Sequence, residues 1–390
     1  MSVMKDDHWA SLTSSAVAAV VVGFASTILI IMQAAEAVQA TDAQKISWAA
    51  MLCFTMGGVS LLLSWRHRMP IIIAWSTPGA ALLATGAAGV SYTAALGAFA
   101  FSGLLMVATG LLRPLARAIE RMPAAIASAM LAGVLLSYVL KVPTSAVVAP
   151  QLVVPLIMAF FAMRLWKPMW TIPVVVGLGL LLALFSGAMV VDPQDLGLAR
   201  LTFDWPVFSP AAVISLGLPL YLVTMASQNL PGFAVLRACG YAPPVSSCLV
   251  VTGAASVLMA PFAGPQVNMA AITAALATGA DAHPDAAHRW KVSIPYFVLY
   301  GIVGVAAGLC VKVLGALPHD LIVAIAGLAL FGPLMGAIAA MMKEPKDVEA
   351  ALVTFLVTAS GFSLFGIGAA FWGLVAGLVL WGVKHLRTVA

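Results

Sequence analysis

The stretch "IIIAWSTPGAALLATG" (residues 71–86) decides how this chain is read. Three isoleucines lead into Trp75, Ser76 and Thr77, and Pro78 and Gly79 then interrupt a segment otherwise apolar enough for a bilayer. Pro78 suits the first turn of a helix, where its missing N–H has no partner to lose, and Thr77 before it is a suitable N-cap. The residue ahead of a proline is pushed toward extended geometry. The pattern predicts extended backbone from Ile71 to Ser76 and a helix that starts at Thr77 or Pro78, in mid-membrane.

The setting for that break is a chain of 390 residues, 63% hydrophobic and 8% charged. Its mean hydropathy is +1.07, whereas charged residues make up about a quarter of a soluble domain. The apolar runs are about 18 to 22 residues long, enough to cross roughly 30 Å of hydrocarbon, and lack the ten-residue alternation of outer-membrane strands. The fold class is therefore all-α, polytopic and membrane-embedded. The first run, Ser11 to Ile31, is too long for a secretory signal and is preceded by Lys5 against Asp6 and Asp7, so it reads as the first span. Cys53, Cys239, Cys248 and Cys310 show no paired spacing and read as packing residues.

Apolar segments fall at approximately 13–34, 46–64, 70–86, 92–112, 123–141, 147–163, 169–188, 209–229, 243–261, 265–280, 292–314, 318–341, 349–363 and 366–384. With fourteen spans and both termini in the cytoplasm, every Lys and Arg but Lys45, Lys141, Arg200 and Lys312 falls on the cytoplasmic face, as the positive-inside rule requires. The net charge of +5 is thus a topology signal, not a nucleic-acid footprint. The net acidic loop "VDPQDLGLARLTFDWP" (191–206) divides the chain into halves of seven spans, which enter the membrane from opposite sides as a 7+7 inverted repeat does. "LLATGA" (82–87) recurs as "ALATGA" (275–280) in the third span of each half.

The tenth span repeats the break in "APFAGPQVNMAAITAALATG" (260–279). Pro261, Gly264 and Pro265 discourage a continuous helix, and Asn268 is a suitable N-cap for a helix running from Met269. One such break reads equally well as a packing kink or as the lining of a cavity, since irregular backbone at membrane depth must be buried in protein or face water. Two breaks in corresponding spans favour the cavity, with two helix amino termini facing an anion near the midplane. Gln33 ends the first span, and "YLVTMASQNLPG" (221–232) places Gln228 and Asn229 at the end of the eighth. A ligand or an interhelical partner would satisfy these amides. Trp75 is placed to stack on a flat ligand or to pack. The candidate substrate-binding residues are Gln33, Trp75, Ser76, Thr77, Gln228, Asn268 and Met269. No Asp or Glu falls securely within a span, Glu36 coming closest; this suits an anionic cargo and leaves the coupled proton without an evident carrier.

"AWSTPGAALLAT" (74–85), "GPQVNMAAITAALATG" (264–279) and the fourteen-span pattern together resemble the bacterial benzoate:proton symporter family (BenE-like). That family is similar to the uracil and nucleobase transporters and to the SLC26-type anion transporters. The resemblance spans essentially the whole chain. It implies a core domain of residues 1–122 and 205–316 (spans 1–4 and 8–11) and a gate domain of 123–190 and 317–390 (spans 5–7 and 12–14). It also implies short strands in spans 3 and 10, a homodimer, elevator-like movement of core against gate, and a bacterial inner-membrane location. In the nucleobase branch a span-8 glutamate contacts the base; by motif position that place falls on Gln228, and a second glutamate is replaced in the Val267–Asn268 region. The departure at Gln228 disfavours nucleobases. The implied activity is proton-coupled import of benzoate or a similar aromatic carboxylate, without a cofactor.

Two further readings differ in class. The same fold could carry nucleobases or form a passive anion pathway. A membrane-embedded enzyme would need a centre such as "DAHPDAAHR" (281–289), where Asp281, His283, Asp285 and His288 suggest metal ligation. The five-residue His spacing puts that pair off one helical face, and no H-E-x-x-H or phosphate-binding loop occurs.

Overall fold

The computed structural model describes residues 8–87, 89–112, 114, 123–187, 198–262, 264–270, 272–279, 282–364 and 367–389. Lys5, Asp6, Asp7, Arg113, Arg117, Arg121, Asp281 and the 191–197 part of the acidic loop lie outside them. The first half contains α1 (Trp9–Ala37), α2 (Asp42–His67), β1 (Ile73–Trp75), α3 (Thr77–Gly86), α4 (Tyr92–Leu111), α5 (Ala124–Val139), α6 (Lys141–Val148), α7 (Pro150–Trp166) and α8 (Thr171–Phe185). The second contains α9 (Pro210–Ala238), α10 (Val245–Met259), β2 (Val267–Met269), α11 (Ile272–Thr278), α12 (Ser293–Val305), α13 (Ala307–Gly315), α14 (His319–Met341), α15 (Val348–Ala359), β3 (Ser363–Leu364), β4 (Ile367–Gly368) and α16 (Ala369–Val389). Each apolar segment of the sequence is occupied by a helix or by a strand followed by a helix. Among the described residues six helices are long and apolar enough to cross a bilayer, α5 and α6 counting together as one, or seven if α12 and α13, bent by 60° at Ala306, also count as one. The hairpin of β3 and β4 between α15 and α16 has no counterpart in the sequence prediction.

The centre of the fold is a two-stranded antiparallel ribbon of β1 and β2, with Ile73 opposite Met269, Ala74 opposite Asn268 and Trp75 opposite Val267. Ser76 N donates to Gln266 O (3.2 Å) and Ala270 N to Ile72 O (2.9 Å), extending the pairing at both ends. A free sheet edge cannot persist in a dry apolar bundle, because each unpaired N–H or C=O costs several kcal/mol there. Side chains of four neighbouring helices close these edges. Along β1, Ser64 Oγ bonds both N and O of Ile71 (3.0 Å each), Ser60 Oγ accepts from Ile73 N (2.9 Å), and the Tyr296 hydroxyl donates to Ile73 O (2.9 Å). Along β2, Ser256 Oγ accepts from Val267 N (3.1 Å) and Asn229 Oδ1 from Met269 N (3.0 Å).

Helices approach closely around the ribbon. A Cβ on Gly232 of α9 would stand 2.6 Å from Met269 Cβ and 2.8 Å from Ala270 O, so α9 lies directly on the backbone of β2. Gly103 and Gly253 let α4 and α10 pack backbone to backbone, as small residues do between membrane helices. Residues 198–206 run across one face of this bundle. There Gln44 Nε2 donates to Asp204 Oδ2 (3.0 Å), Asp204 N to Pro261 O (2.8 Å) and Ala199 N to Val305 O (3.1 Å). That strap places the amino end of α2 and the carboxyl ends of α10 and α12 on the same face.

Candidate substrate site

The α3 helix begins at Thr77 with Pro78 in its first turn, as the sequence predicts, but its cap is one residue earlier. Ser76 Oγ accepts from Gly79 N (3.1 Å) and pairs with Thr224 Oγ1 of α9 (2.7 Å). Ser76 precedes the helix with non-helical backbone, so its hydroxyl, and not that of Thr77, reaches the first turn. Pro78 has no N–H, Gly79 and Ala80 donate to Ser76, and the Thr77 N–H is the donor of this turn left open among the described residues. Thr77 is half-buried while Ser76 is fully enclosed.

Asn268 does not cap a helix from Met269. Both residues belong to β2, and α11 starts at Ile272, because the ribbon pairing keeps the backbone extended through Met269. With its amide oriented to match its neighbours, Asn268 donates from Nδ2 to Met269 O (2.9 Å) and accepts the Ser76 N–H (3.1 Å). It therefore braces one strand against the other. The strands being antiparallel, α3 and α11 leave the ribbon from opposite ends, each with its amino end toward it.

Trp75 is 3% exposed. Its indole N–H donates to Thr27 Oγ1 of α1 (2.6 Å), and its ring is tilted against Phe24 with centroids 5.8 Å apart. Thr27 carries no signal in sequence beyond being a hydroxyl in an apolar helix, and it ties α1 to the break. In α9, residues Met225–Asn229 form a π-helical turn, a distortion common at functional sites. The turn carries Ser227, Gln228 and Asn229. Asn229, fully buried, holds Met269 N and so takes the interhelical role; Gln228 is half-buried, with no hydrogen bond among the described residues. Gln266, absent from the sequence candidates, accepts from Ser102 Oγ (3.0 Å) and donates to Leu220 O (3.1 Å).

The ribbon thus unites Trp75, Ser76 and Thr77 with Asn268 and Met269, and its partner Asn229 brings the π turn bearing Gln228 alongside. Gln33 stands apart. Six residues beyond Thr27, it is about 9 Å farther along α1 at 1.5 Å per residue, and it lines two cavities with Glu36 and His319.

Among the described residues, which leave out Asp281, no group of three or more His, Cys, Asp or Glu could hold a metal ion. A 3₁₀ turn, Ala286–Val292, follows Asp285 and brings the His283 and His288 rings to 5.3 Å despite their spacing. One ring nitrogen of each is already engaged. His283 Nδ1 accepts from Asp285 N (3.0 Å), and His288 Nδ1 lies 3.0 Å from Asp285 Oδ2. Burial pushes the His283 imidazole below its usual range, while the Ala287 N–H bond holds the Asp285 carboxyl low. Arg289 closes the loop by donating to Thr278 O (3.0 Å) at the end of α11, to His283 O (2.7 Å) and to Pro284 O (3.3 Å).

A family model described as benzoate membrane transport protein matches residues 6–383. The chain belongs to that family. It is 31% identical over 379 residues to the benzoate membrane transport protein of Acinetobacter baylyi, covering 97% of this chain and 96% of the relative. It is 38% identical over 368 residues to the inner membrane protein YdcO of Escherichia coli, covering 94% of each. Among solved structures, the transmembrane domain of the cyanobacterial bicarbonate transporter BicA superposes with a TM-score of 0.60 at 14% identity, covering 96% of this chain and 98% of that one. The murine Slc26a9 anion transporter in its inward-facing state gives 0.62 at 11% identity, covering 99% and 69%. This member of the benzoate transport family is therefore a multi-pass membrane transport protein with the fold of these anion transporters, and not an enzyme.

Proposed function

We propose that the chain is a secondary active transporter that imports benzoate or a similar aromatic carboxylate together with protons across a bacterial inner membrane. The observation that carries this reading is the ribbon crossing itself. An open Thr77 N–H at the positive end of α3 and an uncommitted Gln228 amide lie on elements braced to the same two strands. Hydroxyls, amides and backbone N–H groups make up the polar surroundings described above, which suits a carboxylate and disfavours a second negative charge. The carboxylate would take hydrogen bonds from Thr77 and Gln228, with the ring against the Phe24–Trp75 wall. Ser76, Asn268 and Met269 would hold that geometry.

In this reading the six long helices, the bent α12–α13 pair, five shorter apolar helices and the two strand–helix units make fourteen crossings with both termini cytoplasmic. Ser60 in the second span and Ser256 in the ninth perform the same task on opposite strands, which supports an inverted repeat. Spans 1–4 and 8–11 would form the core, the rest the gate, and two chains a homodimer in which each core moves elevator-fashion.

Labelled benzoate should accumulate in proteoliposomes when the outside is made acidic, and a protonophore should abolish it. Folded protein that accumulates no more than empty liposomes would overturn the reading. Competition by uracil and xanthine but not by aromatic acids would assign the fold a nucleobase cargo. Gln228→Glu should weaken benzoate binding at neutral pH; unchanged affinity removes Gln228 from the site.

A further inference from the structure

Four cations break the positive-inside pattern: Lys45, Lys141, Arg200 and Lys312. Selection disfavours Lys and Arg on the outer face, so cations retained there call for a local reason. The structure brings three of the four together. Lys141 lines a cavity of about 340 Å³, Lys45 and Lys312 line a second of about 550 Å³, and the two cavities meet across Gln33, Glu36, His319 and Ile322. The walls are the carboxyl ends of α1, α3, α5 and α13 and the amino ends of α2, α6 and α14. In the assignment proposed above, α1 to α3 and α13 belong to the core, and α5, α6 and α14 to the gate. The vestibule therefore lies on the line along which the two domains would slide.

We propose that this vestibule is an outer capture site for a monocarboxylate anion, with Lys141, His319 and Gln33 as its contact groups. The inference rests on the orientation and cargo argued under the proposed function, and it adds a second binding site to them. Lys141 Nζ stands 5.5 Å from the centroid of the Tyr138 ring, on a wall of the smaller cavity. An aromatic carboxylate can pair there with the ammonium and lie against that ring. The other ionisable groups facing the vestibule are Glu36, Asp42, Lys45, Lys312 and Asp320, and Lys45 is 3.2 Å from Asp42. Three lysines thus face three carboxylates. A concave wall with low-dielectric surroundings focuses the field of the Lys141 ammonium and raises the local concentration of anions beside it.

The test reads local potential without relying on transport. Thr144→Cys places a thiol on the exposed rim, in a background where the half-buried native thiols are removed as Cys239→Ser and Cys310→Ser. Intact cells are treated with anionic and cationic membrane-impermeant thiosulfonates, each rate normalised to that with a free thiol in solution. The anionic reagent should react faster, and the ratio should fall about threefold to tenfold in Lys141→Gln or at high salt and recover in Lys141→Arg. Benzoate should protect the thiol, and Lys141→Gln should raise the KM for benzoate uptake by a similar factor with kcat retained. A ratio at or below one, a ratio indifferent to Lys141→Gln, or a thiol inaccessible from outside would overturn the capture site. If the ratio behaves as stated and benzoate protects the thiol but is not transported, the capture site stands and the transport reading falls.

Discussion

In the first broken span β1 passes into α3 across the single residue Ser76, whose hydroxyl caps the helix it precedes. In the second, Ala270 and residue 271 separate β2 from α11, and the far end of that shorter helix is held by Arg289 from the following loop. The strand edges differ too. Side chains of α2 and α12 satisfy β1, whereas β2 depends on α10 and on Asn229 of a π turn. Both strands lean on neighbouring helices, but α3 is capped by the residue that precedes it, whereas β2 lies directly against α9 through Gly232 and Asn229. Damage to α9 should therefore disturb β2 more than local damage at Ser76 disturbs α3.

The largest effect is expected from Gly232→Val. Its side chain would collide with Met269 and the Ala270 carbonyl and push α9 from β2, at a cost of about 3 kcal/mol. Thermal unfolding in detergent should show it as the greatest loss of stability in the set. Asn229→Leu comes next: it strands the buried Met269 N–H, a loss of about 2 kcal/mol. Ser76→Ala removes a cap and one interhelical bond and should cost about 1 kcal/mol in the same assay. If Ser76→Ala proves more damaging than Asn229→Leu, the contrast between the two units is wrong.

The smallest effect concerns pH and the loop that anchors α11. The His283 imidazole is held below its ordinary value of 6.5, so the unfolded loop binds a proton more readily than the folded one. The packing of this loop is fully stable above that value and weakens as pH falls through it, since a protonated Nδ1 cannot accept the Asp285 N–H. Hydrogen exchange at residues 282–292, corrected for intrinsic rates, should quicken on acidification, and His283→Gln should flatten the response. Exchange around β1 should not change, because no histidine bonds to it among the described residues.

The first break was legible because proline and a hydroxyl leave few backbone options: Pro78 fixed where α3 begins, and only the cap moved, from Thr77 to Ser76. The second was legible as a break but not in its boundaries. Asn268 resembles an N-cap locally, yet pairing with β1 keeps it extended, and a cross-strand partner is not a local property. The same limit hid Thr27, Ser60, Ser256, Tyr296 and Gln266. Hydroxyls and amides in apolar helices carry no label for the backbone group they will satisfy. Gln33 shows the converse: a polar exception that the sequence groups with the centre, it lines the two cavities it shares with Glu36 and His319.

By itself the sequence determined that this is a helical membrane protein, where its apolar segments and two breaks fall, and which cations stand out from the charge pattern. Hydropathy, proline geometry and charge bias act over one turn or one span, and so they survive in a linear reading. Only the tertiary structure decided which strand edges meet, which polar groups are already satisfied and which remain open to a ligand. Those outcomes depend on pairing between residues some two hundred positions apart, where a hydrogen bond made to one partner is withheld from every other.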